Sequence, residues 1–126
     1  MGITPLRIAH IDDDADLRAM VRMALSLTTP CTLVSCASGE IARQLLPAFS
    51  PDVILVDMMM PGGMNGIATV RALGKIMDLS AVSVVFASGT DDPDHLRKFH
   101  ELGAAAVIHK PFDAFRLAGQ LAKIRS

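Results

Sequence analysis

The fold is decided by the stretch Asp52-Val53-Ile54-Leu55-Val56-Asp57-Met58-Met59-Met60-Pro61. Its four consecutive apolar residues are rich in β-branched side chains and too few for a buried helix, which predicts a strand buried on both faces. Asp57 ends this strand. Ligands of open α/β sheets bind at the carboxyl ends of the strands, and a buried anion is costly unless a cation or a reaction requires it. Asp57 is therefore the first candidate for a functional residue.

Length and composition indicate one globular domain, expected to span residues 1–126 with its core at about 6–124. An apolar fraction of 51% is enough to bury a real core. Twelve Lys and Arg against thirteen Asp and Glu give a net charge of −1, so bulk electrostatics does not favour direct nucleic-acid binding.

The chain carries no signal for membrane insertion or export. No apolar run reaches the length of about 18 residues that a membrane-spanning helix needs. Residues 1–5 lack the basic and apolar regions of a signal peptide, so a cytoplasmic location is expected. Cys31 and Cys36 have neither zinc-site nor C-x-x-C spacing, and both are interpreted as small core residues on opposite faces of a strand.

Strands and helices are predicted to alternate along the chain. Short apolar runs predict four further strands: 6–11, 32–35, 81–87 and 104–108. Five helices are predicted to start at or just after these residues: Asp14, Ser38, Asn65, Asp91-Asp92 and Asp113. A turn is expected at 47–51, between two prolines. Apolar side chains expected on the inner sides of the third and fourth helices are Met77, Leu96, Phe99 and Leu102.

This alternation predicts a doubly wound α/β fold. Strands that are continuous apolar runs favour a parallel sheet covered by helices on both faces. Right-handed crossovers leave few topologies, and we expect the flavodoxin-like five-stranded order 2-1-3-4-5 with five helices. That order places the ends of strands 1 and 3 side by side, so Asp12, Asp13 and Asp57 should converge.

Three converging carboxylates favour a divalent cation. Without a cation they would repel one another, and Mg²⁺ accepts a few carboxylate oxygens while keeping waters and binding phosphate oxygens. One acid could instead be a nucleophile that forms an acyl phosphate. At the ends of strands 4 and 5, Ser88 offers a hydroxyl and Lys110 a cation to phosphoryl oxygens. His10 is interpreted as structural.

Taken together, these residues resemble the receiver domain of two-component response regulators, of the chemotaxis-regulator type, from about residue 6 to 124. Four anchors stand in family order at family-like spacing: Asp12-Asp13, Asp57 with Met60-Pro61 and Gly66, Ser88-Gly89, and Lys110-Pro111-Phe112. Four anchors in register are far more specific than any one of them.

The resemblance implies a phosphoacceptor role for Asp57, with the phosphoryl group supplied by a sensor histidine kinase or a histidine phosphotransfer protein. It also implies Mg²⁺ as cofactor. Asp13 and Asp57 would be direct ligands with the backbone carbonyl of Met59, and Asp12 would act largely through bound water. Such a chain is expected to catalyse only its own phosphorylation and dephosphorylation.

Two further family roles follow from the resemblance. Ser88 would be the switch hydroxyl, and Lys110 would pair with the phosphoryl group, with a cis bond to Pro111. The output surface would lie around helix 4, strand 5 and helix 5, where Ser88, Phe99, Val107 and Phe112 are the candidate switch residues. A downstream protein target, a separate output domain or a phosphorylation-dependent homodimer would read that surface.

The sequence departs from the family pattern at several positions. Gly62-Gly63 looks like an insertion of one residue in the loop beside the site. Met59 places an apolar side chain where many members carry a polar one, which predicts an altered lifetime of the acyl phosphate. Val107 stands where many receivers carry a switch aromatic. No output domain follows Ser126, so the chain is expected to be a stand-alone receiver or a fragment of a longer regulator or hybrid kinase.

Two other classes of function share parts of this pattern. A Mg²⁺-dependent phosphohydrolase with an aspartyl nucleophile would want a second acid two residues later, where this chain has Met59. A degenerate receiver that only binds a partner is disfavoured by the presence of Asp13, Asp57, Ser88 and Lys110 together. Mg²⁺ affinity separates this binding module from a working receiver.

Overall fold

Five parallel strands form one sheet in the computed structural model, which describes residues 5–125. The strands are β1 (Leu6–Ile11), β2 (Cys31–Cys36), β3 (Val53–Asp57), β4 (Ser83–Ser88) and β5 (Ala106–His109). Their order across the sheet is β2-β1-β3-β4-β5, with every neighbouring pair parallel. This confirms the flavodoxin-like topology predicted from the sequence.

Five helices connect and cover the strands. They are α1 (Ala15–Thr28), α2 (Gly39–Phe49), α3 (Gly66–Gly74), α4 (Pro93–Glu101) and α5 (Leu117–Arg125), the last preceded by a 3-10 turn at Ala114–Arg116. Within residues 5–125, no helix combines the length and the apolar character needed to cross a membrane.

β3 is buried along its whole length between two hydrophobic cores. Val53 and Leu55 face the core formed with α1 and α5. Ile54 and Val56 face the core formed with α2, α3 and α4. The side chains alternate between the two cores because successive residues of a strand point to opposite faces. The same alternation places Cys31 and Cys36 against opposite cores, as predicted.

Side-chain caps fix where the helices begin. The Asp14 carboxylate accepts the N–H groups of Asp16 and Leu17 at the start of α1. Asn65 accepts the N–H of Ala68 at the start of α3, and Asp113 accepts the N–H of Phe115. Each cap satisfies backbone donors that a helix N-terminus otherwise leaves unpaired.

The predicted turn at 47–51 is wrong, because α2 continues through Pro47 to Phe49. Proline at this position removes the N–H that would donate to the carbonyl four residues earlier, which is a cost to the helix. Leu46 is fully buried and Phe49 packs against the same core, so burial of this turn outweighs the lost hydrogen bond. The helix ends at Ser50, which adopts the left-handed conformation at φ 56°.

Strand boundaries and exposure differ from the predictions at the edges of the sheet. β5 was predicted as a buried strand at 104–108, but it is an edge strand that pairs only with β4. Val107 on this strand is 37% exposed. β4 begins at Ser83 rather than at residue 81, and β2 extends one residue beyond each predicted end. An apolar run does not distinguish an edge strand from a central one, because that depends on the neighbours.

Two helix positions also differ from the predictions. Leu96 was expected on the inner side of α4 but is 40% exposed, since the short helix turns mainly Phe99 toward the sheet. Met77 lies beyond α3, which ends at Gly74, although it still packs against the core.

Phe99 is the anchor of α4. Its ring stacks on Phe86 of β4 with centroids 4.3 Å apart, and both side chains are completely buried. We expect Phe99→Ala to lower the free energy of unfolding by about 3–5 kcal/mol, because it removes this contact and leaves a cavity. Urea denaturation of the purified domain measures the change.

Leu96→Ala is the matched control on the same helix. Because Leu96 is largely exposed, its truncation should change the free energy of unfolding by less than about 1 kcal/mol. Equal losses of stability in the two variants would contradict the assignment of Phe99 as the anchor.

Candidate acidic site

The carboxylates of Asp12, Asp13 and Asp57 meet at one end of the sheet. β1 and β3 pair with Ile11 opposite Val56, so the residues that follow come out side by side. One carboxylate oxygen from each of the three acids lies within 4.8 Å of the others. Asp12 and Asp57 are buried, whereas Asp13 is exposed. The convergence predicted from the sequence is therefore present.

Lys110 bridges the two buried acids. Its Nζ atom lies 2.9 Å from Asp12 Oδ2 and 3.0 Å from Asp57 Oδ1. The Lys110 backbone N–H donates to the Ser88 carbonyl at 2.8 Å, which attaches the end of β5 to the end of β4. The peptide bond from Lys110 to Pro111 is cis. One cation thus serves two carboxylates from different strands.

Backbone and side-chain hydrogen bonds fix Asp12. The Asp14 N–H donates to Asp12 Oδ1 at 2.9 Å, and Arg18 donates to the Asp12 backbone carbonyl at 2.7 Å. The Asp12 N–H donates to the Cys36 carbonyl at 3.0 Å. Asp12 is therefore held in place from α1 and from β2, independently of Lys110.

Burial and charge shift the pKa values at this site. Burial raises the pKa of Asp57 above its ordinary value, as does the Asp12 charge, while hydrogen bonding from Lys110 opposes the rise. Burial lowers the pKa of Lys110, but its hydrogen bonds to Asp12 and Asp57 outweigh this, so the pKa is raised overall. The lysine is charged, and its single positive charge faces the two carboxylates of Asp12 and Asp57.

His10 lies beside Asp12 as a neutral side chain. Burial lowers its pKa to about 4, even though the Asp12 charge acts in the opposite direction. Its Nε2 atom is 3.9 Å from Asp12 Oδ2, and its buried Nδ1 atom has no hydrogen-bond partner among residues 5–125. At neutral pH His10 adds no positive charge to the site.

Ser88 ends β4 next to the strand that carries Asp57. It is 3% exposed, and Asp57 pairs with Ala87, the residue before it. The Ser88 hydroxyl accepts the Thr90 N–H at 3.1 Å. In the described part of the chain this hydroxyl bonds to Thr90 and makes no hydrogen bond to Asp57.

The loop after Asp57 leaves Met59 in solvent. Its side chain is 67% exposed, while Met58 and Met60 on either side are buried. A hydrogen bond from the Met59 backbone lowers the pKa of Asp57, against the larger effect of burial. In the two-glycine segment, Gly62 has a φ of +91°, a conformation that glycine adopts readily.

The candidate switch residues occupy different environments. Val107 is exposed on β5 and lies opposite Phe86 in the register. Phe112 is half-buried against the core under α1 and α5. Phe99 was expected on the output surface, but it is completely buried. It can influence a surface only through the packing of α4.

Sequence reasoning missed two parts of the site. Arg18 binds the Asp12 carbonyl, and its place in the second turn after the Asp14 cap was the signal that could have indicated it. Thr90 donates its N–H to Ser88, and no sequence pattern predicted that contact. His10, interpreted as structural, is buried two residues before Asp12, with its Nε2 atom 3.9 Å from Asp12 Oδ2.

The donor set fits a hard divalent cation. Three carboxylates within 4.8 Å offer oxygen ligands to a cation, and one of them is exposed, which leaves an approach from solvent. Lys110 neutralises one negative charge and leaves a net negative site.

The family model of the response regulator receiver domain matches residues 8–122. The chain belongs to this family. Among its relatives, protein-glutamate methylesterase/protein-glutamine glutaminase 1 of Caulobacter vibrioides is 34% identical over 94% of this chain and 34% of its own length. The nitrate/nitrite response regulator protein NarL of Escherichia coli is 38% identical over 71% of this chain and 41% of its own length. The chain thus spans about a third of the length of the first relative and about two fifths of the second.

Solved structures show the same fold. Chemotaxis protein CheY4 of Vibrio cholerae superposes with a TM-score of 0.87 at 22% identity, covering 96% of this chain and 99% of that one. A CheY-like receiver protein of Methanospirillum hungatei has a TM-score of 0.84 at 17% identity, covering 97% and 94%. The receiver fold is therefore retained at low sequence identity.

Gly66 allows α3 to approach the strand end of this receiver domain. A Cβ atom there would lie 2.5 Å from the Asp57 carbonyl oxygen and 2.9 Å from Met58 Cα. We expect Gly66→Ala to lower the free energy of unfolding by about 1–3 kcal/mol, because backbone must move to relieve the contact. Urea denaturation measures the loss.

Gly74→Ala on the same helix is the control. Its added Cβ would lie 3.7 Å from a Leu79 methyl group, an ordinary contact. Unchanged or slightly raised stability is expected for this variant. If Gly66→Ala behaved in the same way, close approach of α3 to Asp57 would not be a constraint.

Proposed function

We propose that this receiver domain accepts a phosphoryl group on Asp57 from a phosphohistidine of a sensor kinase or phosphotransfer protein. The observation that carries the proposal is the position of Lys110, whose Nζ bridges Asp12 Oδ2 and Asp57 Oδ1. A cation on the acceptor carboxylate stands where phosphoryl oxygens would need charge neutralisation. Membership in the receiver family supports the same role.

The transfer is a substitution at phosphorus. An Asp57 carboxylate oxygen forms the new P–O bond, and the P–N bond to the donor imidazole breaks with its electron pair staying on nitrogen. The imidazole leaves as a neutral ring after taking a proton from solvent. The product is an acyl phosphate, and the raised pKa of Asp57 reflects a carboxylate poorly solvated in the free protein.

Asp13 and Asp57 would hold Mg²⁺ together with the Met59 backbone carbonyl, and Asp12 would act largely through bound water. When bound, Mg²⁺ neutralises charge on the acids and on the phosphoryl oxygens. Asp13 is exposed, as a residue must be to receive a hydrated ion from solvent. Hydrogen bonds from Arg18 and from the Asp14 N–H would hold Asp12 in position, both toward Lys110 and toward water bound to the ion.

Lys110 and Ser88 would respond to the new phosphoryl group. Lys110 would pair with a phosphoryl oxygen, and the Ser88 hydroxyl would leave the Thr90 N–H and donate to another. Because Thr90 leads into α4, this rearrangement would shift the population of the surface formed by α4, β5 and α5. A protein target, an output domain or a second copy would read that surface.

The exposed Met59 side chain follows the proposed acceptor Asp57 by two residues. An apolar side chain there offers no hydrogen bond to an attacking water, so we propose that it alters the lifetime of the acyl phosphate. A phosphohydrolase would need an acid at this position, and this chain has none there.

The decisive experiment is intact mass spectrometry after exposure to a small acyl phosphate donor, with and without Mg²⁺. We expect one phosphoryl adduct on the parent protein with Mg²⁺ and essentially none without it. Asp57→Asn should give no adduct under either condition. Asp52→Asn, which changes an acid at the other end of β3, is the matched control and should keep the adduct.

An adduct that persisted in Asp57→Asn would assign phosphorylation to another residue. Complete absence of an adduct on the parent protein would favour a binding module that does not use phosphorylation. In either case the proposed role of Asp57 would be rejected.

Mg²⁺ binding gives an independent test by thermal and urea denaturation. At about ten times its dissociation constant, Mg²⁺ should raise the free energy of unfolding by about 1.4 kcal/mol, since it binds only the folded chain. Asp13→Asn should lose most of this gain. Asp16→Asn, an exposed acid in the first turn of α1, should keep it, and equal gains in both variants would contradict the proposed ligand.

A further inference from the structure

Basic side chains cross the outer surface of α3, away from the acidic site. Arg71 lies on the exposed side of α3, and Lys75 follows one turn later at its C-terminal cap. Arg43 of α2 and Lys98 of α4 stand on either side. We call these four residues the basic surface. The chain has a net charge of −1, so this concentration of cations is local.

Two clefts flank α3 within this surface. The cleft toward α4 has a volume of about 290 Å³ and is lined by Arg71, His95 and Lys98 among others. The cleft toward α2 has a volume of about 360 Å³ and is lined by Arg43, Arg71 and Lys75 among others. Arg71 and Ala68 line both clefts, so the two form one continuous surface across three helices.

Three of the four cations of this surface have no acidic partner in the described part of the chain, while Arg43 lies near Glu40. Arg71, Lys75 and Lys98 form no side-chain ion pair or hydrogen bond within the described residues, 5–125. Nearby acids are already engaged. Glu40 accepts the Met64 N–H at 3.4 Å and faces Arg43, and Asp92 lies 3.9 Å from His95. Positive charge therefore remains in excess along α3.

A small, apolar strip runs beside these cations. Ala68 and Ala72 are one turn apart on α3, and Ile76 beyond the helix is largely exposed. Residues four apart lie on the same side of a helix, so the alanines form one stripe next to the stripe of Arg71 and Lys75. Small side chains let another helix approach closely.

We propose that an acidic amphipathic helix of a partner protein docks across α3. Its apolar side would lie on Ala68 and Ala72, and its carboxylates would pair with Arg71, Lys75 and Lys98. The positive charge of the surface favours a partner that presents carboxylates. Its extent over two clefts on either side of a helix fits a protein segment better than a small anion, which prefers one concave pocket.

Fluorescence anisotropy of a labelled peptide tests this docking. The probe is a designed amphipathic helix with Glu on one side and Ala and Leu on the other, and its counterpart has Lys in place of Glu. We expect the acidic probe to bind, with an affinity that falls as salt is added, and the basic probe not to bind. Amide shifts in α3 should accompany binding.

Charge-reversal variants test whether the basic surface binds the acidic probe. The double variant Arg71→Glu with Lys75→Glu should lower the affinity for the acidic probe by about tenfold or more. Arg22→Glu with Arg116→Glu, which reverses two exposed cations elsewhere, should leave its affinity within about twofold. Arg71→Gln with Lys75→Gln gives the same test if the first variant does not fold. Asp57→Asn should bind normally, which separates this result from the phosphorylation assay.

Several outcomes would overturn the proposal. These are no binding of the acidic probe, equal weakening by both charge-reversal pairs, or amide shifts that fall outside α3 and its two clefts. Displacement of the probe by inorganic phosphate or a nucleotide at low concentration would assign the surface to a small anion instead.

Discussion

Burial of β3 on both faces is the constraint on which the rest of the structure depends. Its side chains alternate between two cores that are built from different helices. A strand buried in this way must lie inside a sheet covered on both sides, and parallel strands then bring their carboxyl ends to one edge. Asp57 ends such a strand, so the fold itself places a carboxylate where water is scarce.

Lys110 offsets part of the negative charge that this fold concentrates at the end of the sheet. Its Nζ contacts Asp12 and Asp57, and its backbone N–H holds the end of β4. The three strands that carry these groups are far apart in sequence, so the ion pairs link the acidic site to the order of the sheet. The raised pKa of Asp57 shows that one lysine does not fully offset burial and the Asp12 charge. The site therefore carries excess negative charge, which is the physical basis for the metal ion proposed beside Asp57.

The acidic site and the basic surface differ in charge. At the acidic site carboxylates outnumber the cation, whereas α3 carries unneutralised cations beside small apolar side chains. Met58 connects the two regions in the chain, since it follows Asp57 and lines the cleft toward α4. The proposed phosphorylation and the proposed partner docking therefore depend on different residues, Asp57 and Arg71.

The sequence by itself determined the alternation of strands and helices, the topology and the convergence of Asp12, Asp13 and Asp57, because apolar runs, caps and residues at strand ends are local signals. It did not determine that Pro47 lies inside α2, since packing of Leu46 and Phe49 on the core decided that. It predicted both Leu96 and Phe99 on the inner side of α4, but only the tertiary structure decided that Phe99, stacked on Phe86, is buried while Leu96 is exposed. The contacts of Arg18 and Thr90, and the cations left unpaired along α3, depend on distances between elements, which only the tertiary structure fixes.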